Sequence, residues 1–313
     1  MPLKTGKKHI AAKNRPHNRR ATPARRGAAA STTNRPATNP RTHSRTAIDK
    51  KAFNRPAPPK PPQNGYMIWG RHVVYAALKN NDRRVASIYA ASDCNESDLQ
   101  SYLVTLPPER RKDLPPIQRI ERHRLDDVAG PHEKAVHQGI AAAVWPVEPP
   151  HLDDFLALYK NAPIRLLVLD HVSDPRNVGA IMRSALAFGV VAVITTFHQA
   201  ARENGALARA ASGALDQLFY FRVTNLARTI ERLQQEHITV AGLASDGDMT
   251  VGSLSGIDRL AVMLGAEGRG LRRLSRNHCD HLARIDICHN IDSLNVSNAA
   301  AIALYAASIQ ARE

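Results

Sequence analysis

The sequence has few cysteines, no long apolar run and almost no acidic residues near its N-terminus. The three cysteines, Cys94, Cys279 and Cys288, are too few and too irregularly spaced for a disulfide framework, so we expect a reducing compartment, the cytoplasm. Since no apolar stretch is long enough to cross a bilayer and no signal-peptide core is visible, we expect no membrane partner. At 313 residues, the chain is long enough for about two domains and a sizeable core.

The positive charge is concentrated at the N-terminus. Residues 1–63 hold 16 of the 43 Lys and Arg but only one of the 28 acids, Asp49, so the net charge of +15 lies entirely there. This segment has too few large apolar residues to offset the entropy lost on ordering, and we predict a disordered basic extension. Such a polycation binds nucleic acid by releasing counterions. A solubilising extension is one alternative. An organelle transit peptide is another, which the prolines and the missing apolar stripe disfavour.

Residues 64–145 are predicted to form a small α/β unit. After a short lead-in at 67–70, apolar residues at helical spacing predict a helix, and alternating runs predict strands at 85–90, 117–120 and 139–144. A second helix is predicted at 97–106. The proline-rich run that follows indicates a linker, which we place at 146–163.

Residues 164–313 alternate between strand-like and helix-like patterns, which predicts a mostly parallel sheet with helices on both faces. One helix is expected between Asn225 and Glu236, where Leu226, Ile230 and Leu233 form a stripe. The candidate strands are 166–170, 190–195, 219–223, 238–243, 260–264 and 283–287.

Three polar loops follow or precede these elements, at 170–177, 264–271 and 291–298. In the first, we expect Asn177 to be the N-cap of a helix that starts at Val178, with Arg183 off its apolar stripe and free to face a site. Taken singly, Asn177 could be only a cap and Arg183 only a solvated charge. Loops between a strand and a helix present backbone groups and polar side chains to a ligand, so together the three predict one site.

The three loops carry ordered motifs: DPRNVG at 174–179 followed by Arg183 and Ser184, LGAEG at 264–268, and SLNVS at 293–297. In these motifs the chain resembles the SpoU (TrmH-like) branch of the SPOUT RNA methyltransferases over residues 164–310. The strings MIWGRHVV at 67–74 and AVHQGI at 135–140 are similar to the start and end of that family's L30e-like substrate-binding domain. The second string is most similar to enzymes that methylate a guanosine 2′-hydroxyl in large-subunit rRNA.

The resemblance implies a deep C-terminal trefoil knot, a homodimer and a cleft for S-adenosylmethionine. It also implies that Gly265, Ile285 and Leu294 line the cofactor pocket. Arg183 is implied as the group that activates the ribose hydroxyl. Because an arginine stays protonated, we favour stabilisation of the forming alkoxide or positioning of the adjacent phosphate over base catalysis. The residues implied to orient Arg183 and the ribose are Asn177, Glu267, Ser293 and Asn295. Glu267 could instead be a structural partner for an arginine.

Some positions depart from the family pattern. Arg176 replaces the more usual His or Gly, while Asp292 and Asn298 flank the third motif; these changes could alter which RNA fits.

We expect no metal, because His278, Cys279, His281, Cys288 and His289 lack zinc-site spacing. The glycines at 265–270 have the wrong order for a dinucleotide loop. The resemblance predicts methylation of a 23S rRNA guanosine; a tRNA ribose methyltransferase and a non-catalytic RNA-binding or ribosome-assembly factor are the alternatives.

Deletion of residues 1–63 should weaken RNA binding and flatten its salt dependence, because up to 16 cationic side chains that release counterions are lost. The measurement is the dissociation constant for rRNA at several salt concentrations, for the full and the shortened chain. An unchanged salt slope would show that the extension takes no part in binding.

Overall fold

Two β-sheets organise the protein in a computed structural model that describes residues 59–129, 135–288, 291 and 293–309. The predicted basic extension therefore lies outside the described residues, except for its last five positions. There the Gln63 carbonyl accepts a hydrogen bond of 3.2 Å from the Trp145 indole, so the chain is anchored just before the first strand. No helix in the described ranges is both long and apolar enough to cross a membrane.

The smaller sheet has four strands in the order β1-β4-β2-β3, and only the β2–β3 pair is parallel. Helix α1 packs on it through Val73, Val74, Ala77 and Leu78, the four residues whose spacing predicted it. The bounds are β1 Tyr66–Trp69, α1 Arg71–Lys79, β2 Val85–Ala91, α2 Glu96–Val104, α3 Pro108–Asp113, β3 Ile117–Ile120, α4 His123–Asp126 and β4 Ile140–Val144.

The larger sheet has seven strands in the order β7-β6-β5-β10-β8-β11-β9, and every neighbouring pair is parallel. This confirms the predicted parallel α/β architecture. The strands are β5 Ile164–Asp170, β6 Ala192–Thr196, β7 Phe219–Val223, β8 Thr239–Leu243, β9 Met249–Thr250, β10 Arg259–Gly265 and β11 His281–Arg284. The helices are α5 Leu152–Leu158, α6 Pro175–Ala187, α7 Gly205–Ala211, α8 Leu226–Gln235, α9 Arg273–Asn277 and α10 Val296–Ser308.

The large sheet is apolar on both faces, which explains its continuous apolar strands. In β5, Leu167 and Leu169 join one core cluster, with residues of α6, α7 and α10, while Leu166 and Val168 join the other, with α5 and α8. Successive side chains of a strand point to opposite faces, so one strand serves both cores. Helices on both sides then leave the carboxyl ends of the strands as the accessible edge.

Four local predictions were wrong. Residues 66–69 form β1 rather than a lead-in, because they pair with β4. The segment expected to be a linker contains α5, whose Phe155 is buried against the Phe219 and Phe221 rings. The last strand is 281–284 rather than 283–287, because only these residues pair with the neighbouring strands β8 and β9. Helix α6 begins at Pro175, three residues earlier than expected.

The two sheets belong to one compact unit and meet around a buried arginine. Arg83 is 1% exposed and pairs with Glu203 at 2.8 Å and Asp216 at 2.6 Å, both from the segments around α7. Tyr66 donates to the same Glu203 carboxylate. Burial alone would lower the pKa of Arg83, but the neighbouring Tyr66 phenol and the carboxylates of Asp216 and Glu203 outweigh burial and raise it. The small sheet is thus held to the large one by charge pairs that water does not screen.

Arg83→Ala should lower the free energy of unfolding by about 3–5 kcal/mol, because two buried carboxylates lose their counter-charge. The measurement is urea unfolding followed by circular dichroism. Arg122→Ala is the matched control, since Arg122 makes a single exposed ion pair with Asp93 and its loss should hardly change stability. Equal effects of both substitutions would contradict a stabilising role for the buried pairs.

Candidate active site at the carboxyl edge of the parallel sheet

The carboxyl ends of β5 and β10 lie side by side, with Asp170 paired to Gly265 in the strand register. The loops that follow them carry the first two sequence motifs. Because parallel strands present their following loops at one edge, residues far apart in sequence meet there. The site is built from these loops and from the start of α10.

The first motif ends in the first turn of α6, where Asp174 is the N-cap. Its carboxylate accepts a hydrogen bond of 2.9 Å from the Arg176 amide, and Pro175 occupies the first helical position. Asn177 is therefore inside the helix, and the prediction that it is the cap was wrong. Because Asp174 caps the helix, the Asn177 side chain is free to reach the neighbouring loop.

Glu267 joins the three motifs. Its Oε1 accepts a hydrogen bond of 2.9 Å from Asn177 Nδ2 and one of 2.7 Å from Asn295 Nδ2. The Asn295 amide also lies 3.4 Å from Asn177 Oδ1. No arginine in the described ranges pairs with Glu267, so its partners are amides rather than the arginine considered above. One carboxylate oxygen thus carries both bonds, and the second oxygen is left for another donor.

Asn295 has two tasks. Its Oδ1 accepts a hydrogen bond of 2.9 Å from the Ser297 amide and so caps α10, while its Nδ2 points to Glu267. An asparagine is suited to this position because its side chain combines an acceptor and a donor. The start of α10 is thereby attached to the loop after β10.

A cavity of about 620 Å³ opens beside Glu267. Three predicted cofactor residues, Gly265, Ile285 and Leu294, line it, as do Glu267, Ser293 and Asn295. Ile285 directly follows β11, which ends earlier than predicted, and its side chain lines the cavity. The remaining lining residues are Leu243, Ala244, Ser245, Asp246, Leu264, Ala266, Gly268, Arg269, Gly270, Leu271, Arg276, Ala283, Ile287, Val296 and Ala299.

The second motif folds back on itself tightly. The Gly270 amide donates to the Ala266 carbonyl at 2.9 Å, and Gly268 and Gly270 have positive φ. A Cβ on Gly265 would lie 2.0 Å from the Gly270 carbonyl carbon, so only glycine allows this approach. The loop backbone consequently forms part of the cavity wall.

Two ion pairs that were not predicted from the sequence lie in or next to the segments that line the cavity. Asp170, fully buried, accepts from the Arg272 amide at 3.1 Å and from its guanidinium at 2.8 Å. At the other wall, Arg276 donates two hydrogen bonds of 2.8 Å to Asp246 and lowers the pKa of that carboxyl. A carboxylate at the end of a strand was the available signal for Asp170, but its partner could not be read from spacing.

Arg183 lies apart from the cluster within one chain. It is exposed on α6, does not line the cavity and makes no hydrogen bond or ion pair to a described residue. Arg183 lies six positions after Asn177 in the helix, which corresponds to about 9 Å of rise and a different helix face. The other predicted residues come together, and Arg183 does not.

None of the described residues forms a group of three His, Cys, Asp or Glu that could hold a metal ion, and His289 lies outside the described ranges. The site therefore offers an apolar and backbone-lined cavity with a polar cluster of amides and a carboxylate at its rim. This arrangement suits an organic ligand with a few polar groups.

The chain belongs to the SpoU rRNA methylase family, which matches residues 165–305; residues 67–150 match the RNA 2′-O ribose methyltransferase substrate-binding domain. It is 38% identical over 244 residues to the 23S rRNA (guanosine-2′-O-)-methyltransferase RlmB of Salmonella typhimurium, covering 77% of this chain and 97% of that protein. The RlmB of Escherichia coli K12 gives the same values, and that of Pseudomonas aeruginosa is 37% identical over 241 residues, 76% of this chain and 94% of its own.

Solved structures share the fold. The SpoU methyltransferase AviRb from Streptomyces viridochromogenes, in complex with AdoMet, superposes with a TM-score of 0.63 at 20% identity, over 79% of this chain and 90% of its own. An rRNA methyltransferase from Sinorhizobium meliloti superposes with a TM-score of 0.62 at 18% identity, over 78% and 86%. The architecture described above is therefore that of SpoU methyltransferases.

Glu267→Ala should speed backbone hydrogen exchange in residues 293–297 by about 10-fold or more, because two hydrogen bonds of about 1 kcal/mol each are lost. Glu267→Gln is the matched control, since its carbonyl oxygen can still accept from both asparagines. Mass spectrometry of exchanging peptides measures the effect. If both variants exchange like the unsubstituted protein, Glu267 does not hold the third motif.

Proposed function

We propose that the protein transfers a methyl group from S-adenosylmethionine to the ribose 2′-hydroxyl of a guanosine in 23S rRNA. The observation that carries the proposal is the meeting of Asn177, Glu267 and Asn295 at the rim of the cavity, from three motifs far apart in sequence. The names of the RlmB relatives, aligned over nearly their whole length, support the substrate.

The cavity fits the cofactor in size and in chemistry. Ligand cavities of 300–1,000 Å³ are typical for molecules of this class, and the volume here is about 620 Å³. We propose that Gly265 and Leu294 hold the adenosine part by backbone contacts, with Ile285 as an apolar wall. The close approach of Gly265 to Gly270 supports this, because it exposes loop backbone to the cavity.

S-adenosylmethionine, when bound, supplies a methyl group that is activated by the positive charge on its sulfur. The neutral thioether that remains after transfer is a good leaving group. The tasks left to the protein are to align the 2′-hydroxyl and to stabilise charge on its oxygen. We propose that the second oxygen of Glu267 accepts a hydrogen bond from the ribose, while Asn177 and Asn295 hold the carboxylate in place. Ser293, exposed at the cavity rim, is a further donor for the ribose.

Arg183 lies apart from this cluster in its own chain, and we propose a homodimer through α6 and α10 that brings Arg183 to the cluster of the partner. These helices pack together, and α10 exposes Ile302 and Tyr305, followed by the exposed Ile309 directly after the helix. Tyr305 contacts the Phe188 ring next to the end of α6, so the apolar face continues across both helices. In a two-fold dimer the same face serves both chains, and each chain can then contribute Arg183 to its partner's site.

The remaining parts of the proposal concern organisation. We propose that residues 64–145 bind RNA and that residues 164–313 form the methyltransferase domain, to which α5 also belongs because it packs on the large sheet. The insertion of β10 between β5 and β8 is compatible with the proposed trefoil knot. A cytoplasmic location follows from an rRNA substrate.

The proposal is tested by transfer of labelled methyl groups from S-adenosylmethionine to 23S rRNA and, separately, to tRNA. Mapping of 2′-O-methyl positions then identifies the nucleotide. Incorporation at a 23S rRNA guanosine supports the proposal. Incorporation into tRNA alone would assign the alternative substrate, and no incorporation into either RNA would favour the non-catalytic alternative.

Arg183→Ala should abolish methyl transfer while RNA binding is nearly retained, because the lost charge acts on the reacting oxygen rather than on docking. Glu267→Ala should also be inactive. If Arg183 acts across the dimer, mixing the two inactive variants under subunit exchange should restore about a quarter of the activity, since half the dimers are mixed and each has one complete site.

The mixture is compared with each variant alone and with unsubstituted protein at equal concentration. Retained activity of Arg183→Ala would remove Arg183 from the mechanism. An inactive mixture in which subunit exchange is demonstrated would place Arg183 in the site of its own chain.

A further inference from the structure

An exposed aromatic side chain lies at the same edge of the large sheet as the candidate site. Phe197 directly follows β6, whose five residues are all buried, yet it is 42% exposed. Every other phenylalanine or tryptophan in the described ranges is buried or half-buried. Single exposed apolar side chains are common on protein surfaces, so the case for a ligand at Phe197 rests on the groups around its ring.

Hydrogen bonds to both its amide and its carbonyl fix the backbone of Phe197. The Phe197 amide donates to the Val223 carbonyl at 2.7 Å, and the Arg222 guanidinium donates to the Phe197 carbonyl at 2.7 Å. One residue earlier, the Thr196 hydroxyl donates to the His198 carbonyl at 2.6 Å. The ring therefore sits on the end of a strand rather than on a free loop.

Arg222 also stacks on the ring. Its guanidinium carbon lies 4.4 Å from the Phe197 ring centroid, and the His198 ring meets Phe197 edge-on at 5.3 Å. Arg222 Nε is buried and has no hydrogen-bond partner among the residues that the structure describes. Arg222 thus covers part of the ring, while the exposed remainder is available for another flat ring.

The strand register places Phe197 at the same edge of the sheet as the loop of Glu267. Thr195 on β6 is in register with Leu169 on β5, which is in register with Leu264 on β10. Two strand spacings therefore separate β6 from the loop of Glu267, about 10 Å. The segment after Phe197 leads to α7, where Gly205 packs so closely on Trp69 of β1 that a Cβ would lie 2.2 Å from the indole. Phe197 thus lies at the same edge of the large sheet as the candidate site, and the chain after it leads to the contact with the small sheet.

We propose that Phe197 and Arg222 form a stacking platform for an unpaired RNA base next to the methylated nucleotide. Proteins read single-stranded RNA by stacking bases on aromatic rings and guanidinium planes, and the positive charge of Arg222 also favours the phosphates. This inference rests on the proposed function, because it takes RNA as the substrate. It adds a determinant of substrate choice outside the three motifs.

The test uses two substitutions at Phe197 in the full-length chain. Phe197→Leu keeps an apolar side chain but removes the stacking ring, and should raise the KM for a 23S rRNA transcript about 5-fold to 100-fold. We expect kcat and S-adenosylmethionine affinity to stay unchanged, because the platform binds a neighbouring base. Leu158→Ala is the matched control: Leu158 is 73% exposed but precedes the amino end of β5, and its loss should leave KM unchanged.

Phe197→Trp should preserve KM and report stacking directly. Its fluorescence, after subtraction of the signal from Trp69 and Trp145 in the unsubstituted protein, should be quenched by a single-stranded RNA oligonucleotide and much less by a duplex of equal length. This variant also decides the question if Phe197→Leu loses S-adenosylmethionine binding through misfolding.

An unchanged KM in a folded Phe197→Leu, or equal quenching by single-stranded and duplex RNA, would overturn the platform. The stacking platform and the proposed methyl transfer can each fail without the other. Methyl transfer to 23S rRNA without any effect at Phe197 removes the platform and leaves the proposed function. Selective quenching in a protein that transfers no methyl group to RNA leaves the platform and removes the proposed function.

Discussion

The site depends on one carboxylate oxygen. Oε1 of Glu267 accepts from Asn177 and from Asn295, which lie 90 residues before and 28 residues after it. Because both amides converge on one atom, the starts of α6 and α10 and the loop after β10 hold one another in place. The neighbouring cavity wall, from Gly265 to Gly270, belongs to the same loop. A change in any of the three segments is therefore transmitted to the cavity and to the polar rim together.

The frame behind this cluster is the parallel sheet with two apolar faces. With cores on both faces, ligand-binding loops must lie at an edge of the sheet, and the motif loops lie at the carboxyl edge. The small sheet is joined to this frame by Arg83 and its two buried carboxylates, and by the close contact of Gly205 with Trp69. The RNA-binding unit that we propose thus has a defined position relative to the proposed methyl-transfer site.

Much of the fold could be predicted from pattern because its causes are local. The apolar spacing of α1 and α8 and the continuous apolar strands reflect burial on one face or on both. The errors fell where a tertiary contact decided. Helix α5 follows a run of prolines and shows its role only through the contact of Phe155 with two strands. Asn177 is an N-cap residue type, as Asp174 is, but Pro175 already favours Asp174 because proline suits the first helical position, and the Asn177 side chain bonds Glu267 instead.

The sequence by itself determined the basic extension, the alternation of strands and helices, and the three motifs with their candidate residues. These features depend on composition and on neighbours along the chain. Only the tertiary structure decided that Asn177, Glu267 and Asn295 share one oxygen, that Ile285 passes the end of its strand into the cavity, and that Arg183 stays outside the cluster of its own chain. Hydrogen-bond partners and exposed faces depend on the order of strands in the sheet, which brings together residues up to 118 positions apart and which no local pattern encodes.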